Sequence, residues 1–183
     1  MTPELSRPLP WAAIRHRAPG EGRIERIEAT PAERAALARR FGIVAVDSLN
    51  AELELRAGPG GTAIAEGRLK AVVVQECIVS LKPIEQAIDE KLRLRFLPEG
   101  AEPGDDTEFD APDEIPTEGE AIELGEAIAE SLALALDPYP RDPLAAIPEE
   151  FQAPEEDESE QDTVPDEPKR PNPFAALAAL KKT

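Results

Sequence analysis

The sequence predicts an α+β domain, an antiparallel sheet with two or more helices packed on one face, followed by a disordered acidic C-terminal tail that ends in a short helix. Three observations carry this reading. A segment with helical start and stop signals over 30–42 gives way, from residue 43, to apolar residues at a period of two. Helical spacing returns over 121–136. Residues 99–167 hold 25 of the 38 acidic side chains and one basic one, so this stretch repels itself along much of its length.

In chain order, "RPLPWAAIRHR" (7–17) reads as an extended opening segment, with Trp11, Ala13 and Arg15 on one face and Ala12, Ile14 and His16 on the other. "RIERIEA" (23–29) alternates less cleanly and is a short edge strand or a loop. "TPAERAALARRFG" (30–42) is a helix: Thr30 caps it, Pro31 occupies the first turn, Glu33 completes a capping box and Gly42 stops it. Leu37 and Phe41, four residues apart, face its core.

In "SLNAELELRA" (48–57) apolar residues alternate with Asn50, Glu52, Glu54 and Arg56, and "GPGG" (58–61) supplies a turn. A second strand over 62–81 is bent or bulged near Gly67. "AIDEKLRLRFL" (87–97) is a third, with Ile88, Leu92, Leu94 and Phe96 opposed to Asp89, Lys91, Arg93 and Arg95. These are consecutive antiparallel strands, solvated on one face. Residues 98–120 form an acidic loop without a period. The helix at 121–136 puts Leu124, Ile128, Ser131, Leu132, Ala135 and Leu136 on one side, and Pro138 ends it.

The expected organisation is a domain over 1–150, an acidic linker over 151–168 and a terminal helix motif over 169–183. In "KRPNPFAALAALKKT", Asn172 is an N-cap and Pro173 suits the first helical position, while Phe174, Leu177 and Leu180 form an apolar stripe. A helix of about ten residues is too short to be stable alone in water, so this stripe is expected to dock on a partner.

The net charge of −18 argues against indiscriminate nucleic-acid binding, although an acidic arm that swings away leaves the near-neutral first half to its own field. Cys77 is the sole cysteine, which rules out an intramolecular disulfide. The N-terminus has no signal-peptide core, and no run of about 18 apolar residues occurs, so a cytoplasmic protein without a membrane span is expected. "GPGG" lacks the lysine and following helix of a phosphate loop. His16, the only histidine, reads as an ordinary side chain of a basic segment. No catalytic residue and no cofactor are predicted.

Two groups of cations remain. Lys91, Arg93 and Arg95 share a strand face that Arg68 and Lys70 join from the neighbouring strand, and Arg15 and Arg17 belong to a basic cluster in the first forty residues. They form either a phosphate-contacting stripe for RNA or a solubilising face partly paired with Glu52 and Glu54. No aromatic residues are interleaved for base stacking, so sequence-specific reading of single strands is not expected.

The order "VVVQECIVSLKPI" (72–84), "EGEAIELGEAIAESLALALDPYPRDP" (118–143) and "PNPFAALAALKK" (171–182) resembles the YceD family of bacterial large-subunit ribosomal RNA accumulation proteins, from the helix at 30 to the C-terminus. The resemblance implies a small cytoplasmic, non-enzymatic factor needed for normal levels of 23S ribosomal RNA. Its partners would be that RNA or its processing or assembly machinery. The alternative is an acidic chaperone for a basic large-subunit ribosomal protein, without RNA contact. Many family members carry Cys-x-x-Cys where this chain reads Cys77-Ile78-Val79-Ser80. One thiolate with no further Cys or His beside it cannot build a tetrahedral zinc site, so no metal is expected and Cys77 is read as a packing residue.

Overall fold

Alternation in the sequence becomes a sheet, and the computed structural model describes it through residues 5–16, 21–104 and 111–145. All of these belong to the first of the two units into which the chain divides, Met1–Ala146 and Ile147–Thr183. The elements in chain order are β1 (Pro8–Pro10), α1 (Ala12–Arg15), β2 (Arg23–Glu28), α2 (Pro31–Phe41), β3 (Ala45–Ala57), β4 (Ala63–Glu76), β5 (Pro83–Leu97), β6 (Asp113–Pro116), β7 (Ala121–Glu123) and α3 (Leu124–Ala135). The terminal motif with Asn172, Pro173, Phe174, Leu177 and Leu180, the acidic linker and Arg17 lie outside the described residues.

A five-stranded sheet runs β2-β3-β4-β5-β6, and β1 pairs with β7 in a separate two-stranded ribbon. β2 to β5 are antiparallel, as expected, but β6 lies parallel to β5, with Phe96 opposite Ile115, so the sheet is mixed rather than antiparallel. The 98–120 stretch, expected as a loop, thus contributes β6, and β7 takes the first three residues of the segment expected as helix, so that α3 begins at Leu124 rather than at 121. A parallel neighbour needs a connection of about a dozen residues or more, and 98–112 supplies it. Two strands of three and four residues are too short to print a period on the sequence.

Leu49, Leu53 and Leu55 of β3, Leu69 and Val73 of β4, and Leu92, Leu94 and Phe96 of β5 form one buried cluster with Leu37 of α2 and Leu124, Ile128 and Leu132 of α3. Each such side chain taken from water contributes roughly 1.5–3 kcal/mol, which is what holds the helices to the sheet. Gly67 lies in register opposite Leu53, and the pairing passes through it unbroken; the irregularity is in β3, between Val46 and Ser48. Glycine is needed at 67 for a different reason from the expected bend. A Cβ there would meet the Glu52 carbonyl oxygen at 1.9 Å, so only glycine allows the two strands to approach so closely.

α2 forms as its caps dictate. The Thr30 hydroxyl accepts the Glu33 N–H at 3.3 Å, the Glu33 carboxylate accepts the Thr30 N–H at 2.8 Å, and Gly42 ends the helix at φ 66°. The opening segment departs from expectation. Only β1 is extended; Ile14 and Arg15 then donate backbone N–H bonds to the Trp11 carbonyl, and Trp11 and Ile14, three apart, are both buried. The spacing that matters there is helical, not alternate.

This segment straps the fold together. Leu5 is fully buried, the Arg7 carbonyl accepts the Leu124 N–H at 3.3 Å, and Trp11 N–H reaches the Glu120 carbonyl at 3.0 Å. The Arg7 guanidinium makes a forked contact with Glu33 at 2.6 and 3.0 Å and donates to the Glu28 carbonyl at 3.3 Å. Within α3, Gly125 lets the strap lie against the helix, because a Cβ there would stand 2.0 Å from the Leu5 carbonyl oxygen.

Two outcomes are expected. Gly125→Ala gains about 1 kcal/mol of helix propensity but forces backbone apart, so urea denaturation should show a net loss of about 1–3 kcal/mol. The Glu33 carboxyl is held down to about 2 from its ordinary 4.5, first by the Arg7 side chain and further by Thr30. A depressed carboxylate stabilises the fold at pH values above about 4.5, and this contribution is lost as the pH falls towards 2. The urea midpoint of Glu33→Gln should therefore fall less than that of the unaltered protein between pH 5 and pH 2, both measured at one ionic strength.

Candidate functional site

The exposed face of the sheet gathers the predicted cations. Cross-strand register sets Arg68 opposite Lys91, Lys70 opposite Asp89, Glu66 opposite Arg93 and Ile64 opposite Arg95, so the alternate residues of β4 and β5 do share one face. The same face is laced with acids. Arg68 meets Asp89 at 2.5 Å, Arg95 meets Glu114 at 2.8 Å, Arg56 meets Glu66 at 2.9 Å and Arg26 meets Glu52 at 2.6 Å. Glu52 thus holds Arg26 of β2. The Glu114 carboxyl is drawn below its usual range, first by the Gly104 N–H and next by Arg95. Lys70 and Lys91 make no ion pair among the described residues. Beside them a cleft of about 540 Å³ is lined by Arg26, Asn50, Glu52, Arg68 and Lys70.

Arg15 is elsewhere. It is carried by α1, with its guanidinium carbon 4.9 Å from the centre of the Trp11 ring, beside a depression of about 440 Å³ that His16, Glu99 and Glu120 also line. The tertiary structure therefore divides the candidate cations between the sheet face and α1.

Cys77 closes β4 and begins a turn, so the strand expected to run to 81 stops at Glu76. The Cys77 N–H donates to the Lys82 carbonyl at 2.8 Å and its carbonyl accepts the Leu81 N–H at 2.9 Å, with Leu81 at φ 56°. The buried sulfur accepts the Asp142 N–H at 3.3 Å and the Ser80 N–H at 3.4 Å. The Asp142 bond first, with Ser80 adding to it, lowers the thiol to about 7. The cysteine is therefore a backbone acceptor that ties the turn to the segment after α3, beyond the packing role expected of it. Among the described residues no three His, Cys, Asp or Glu side chains gather as a metal would need, and no helix is long and apolar enough to cross a membrane.

One feature went unread in the sequence. The same turn and the segment after α3 wall a groove of about 610 Å³, lined by Phe41, Val44, Gln75, Ile78, Leu136 and Asp137 among others. Its signal was present, since "CIVSL" and "DPYP" place apolar side chains in turns, but a strand read through to 81 assigns Ile78 to a ladder.

The family described as large ribosomal RNA subunit accumulation protein YceD matches this chain over residues 65–181, well over half of its length. The match begins within β4 and leaves α2, which the sequence resemblance spans, outside. It includes the Cys77 turn and α3. No curated protein and no solved structure matches the chain.

Replacing the sulfur tests its role. Cys77→Val keeps the volume but leaves the Asp142 and Ser80 N–H groups without an acceptor, so a stability loss of about 1–3 kcal/mol is expected in urea denaturation. A loss below about 0.5 kcal/mol would leave packing as the whole role of this side chain.

Proposed function

Since the chain belongs to the YceD family, and thereby to the accumulation of large-subunit ribosomal RNA, we propose that it is a non-enzymatic cytoplasmic factor that works by holding a basic protein of the large subunit. The observation that supports this reading is the sheet face. Arg68 and Arg95, two of the cations best placed to meet phosphates, are already engaged by Asp89 and Glu114, and acids interrupt the stripe throughout. A surface of alternating sign suits a protein partner better than a uniformly negative RNA backbone. The net charge of −18 adds attraction towards any basic protein and repulsion towards RNA. Phe174, Leu177 and Leu180, introduced by Asn172 and Pro173, are assigned to the same partner, as apolar anchors presented at the end of an acidic tether.

A second reading, direct contact with 23S ribosomal RNA or its precursor, draws on Lys70, which lines the cleft, and on Lys91, neither of them ion-paired among the described residues, and on Arg15. Arg93 has an electrostatic or hydrogen-bonded partner and adds less to it.

The two readings separate in one purification. A tagged full-length chain recovered from cells should retain a basic large-subunit protein after nuclease digestion. Loss of every partner on digestion would favour RNA contact. In that case Lys70→Gln with Lys91→Gln should weaken RNA binding and flatten the log–log salt dependence by about 0.7–0.9 per lost contact. Deletion of 169–183 should leave the melting temperature within about 2 °C and abolish support of large-subunit RNA levels; a fall of about 4 °C or more would mark the segment as part of the fold.

A further inference from the structure

We propose that the groove between the end of α2, the 77–82 turn and the segment after α3 is a docking site for a protein segment with an apolar anchor beside lysine or arginine residues. This rests on the protein-partner reading and goes beyond it in naming where the partner sits and what it must carry.

Apolar exposure gathers here. Val44 is 57% and Ile78 54% exposed in the groove wall, and Tyr139 at 74% and Leu134 at 85% flank it in sequence beside lining residues Pro138, Pro140 and Ala133. Clustered exposure of this kind marks an interaction surface, whereas isolated apolar residues do not. The cavity, about 610 Å³, is of a size that takes one or two large side chains.

Its charge selects the occupant. Among the described residues Glu76 and Asp137 are the charged ones lining it, and no cation does. RNA phosphate is repelled by such a rim, and so is a second copy of a chain with net charge −18, whereas a lysine or arginine next to the anchor is attracted. Gln75, which also lines the groove, is 7% exposed; its amide nitrogen donates to the Asp137 carbonyl at 2.9 Å, while its Oε1 has no partner among the described residues.

The walls are held before anything binds. Ile78 N–H donates to the Pro140 carbonyl at 2.9 Å, and the Cys77 sulfur accepts the Asp142 N–H, so little order remains to be created on docking.

The test uses the full chain in cells, with photoreactive benzoylphenylalanine at Val44 or Tyr139 and, as a control, at Lys70 on the sheet face. Irradiation should join the Val44 and Tyr139 positions to a large-subunit protein, at a segment with an apolar residue within a few positions of lysine or arginine. That segment, made as a peptide, should bind the full chain about tenfold or more weakly when Ile78→Asp is introduced. Ile78 is already half-exposed, so this variant should keep its melting temperature. Glu76→Lys, at an exposed rim position, should weaken binding as well. Adducts that map back onto this chain, adducts at a segment without basic residues, or none from either groove position overturn the proposal. Protein adducts at Lys70 alone remove the groove and leave the protein-partner reading standing. RNA adducts at all three positions remove both.

Discussion

The fold depends on one close contact, the backbone of Leu5 lying against α3 at Gly125. With a Cβ at that position the Leu5 carbonyl would have to withdraw from a distance of 2.0 Å, and the segment that follows would leave with it. That segment connects everything else on the buried side of the sheet. Through β1 it pairs with β7, through the Arg7 carbonyl it receives the first N–H of α3, and through the Arg7 guanidinium it reaches Glu33 and the end of β2. Glu33 also caps α2, so the same carboxylate fixes the start of one helix and the strap that runs to the other. The two helices are thus referred to a common element, and the apolar face of the sheet meets a cover of defined geometry.

A second tie, at the far end of β4, has consequences for binding. Cys77 ends the strand and its sulfur gathers two backbone N–H groups, one from its own turn and one from Asp142. Gln75, one step back on the buried face, holds the Asp137 carbonyl. These bonds fix the segment after α3 beside the turn and leave a trough between them. Val44 and Ile78 remain exposed along it.

Electrostatics decide what the opposite face of the sheet can do. Exposed ion pairs such as Arg68–Asp89 add little to stability, about 0–1 kcal/mol each. Their effect is on the field. Each pair cancels a charge that would otherwise project from the sheet, and the face as a whole presents small patches of alternating sign. On the proposed reading it is this register of charge that a protein surface meets, and among the described residues the cations of the face form no continuous positive path of the kind an RNA backbone follows.

Much of this was legible in the residues themselves. The capping box of α2, the alternation of β3 and β5, the face of α3 and the sharing of one sheet face by Arg68, Lys70, Lys91, Arg93 and Arg95 follow from local stereochemistry, which is written at spacings of two, three and four. What those spacings do not encode is which distant group stands opposite. The parallel placement of β6, the ribbon of β1 with β7, the closeness that requires glycine at 67 and 125, the capture of Arg68 and Arg95 by Asp89 and Glu114, and the meeting of Val44, Ile78 and Leu136 in one groove all join residues far apart in the chain. Only packing decides these, because a contact between such residues is set by the shapes and charges of two surfaces at once, and either segment alone carries half of that information.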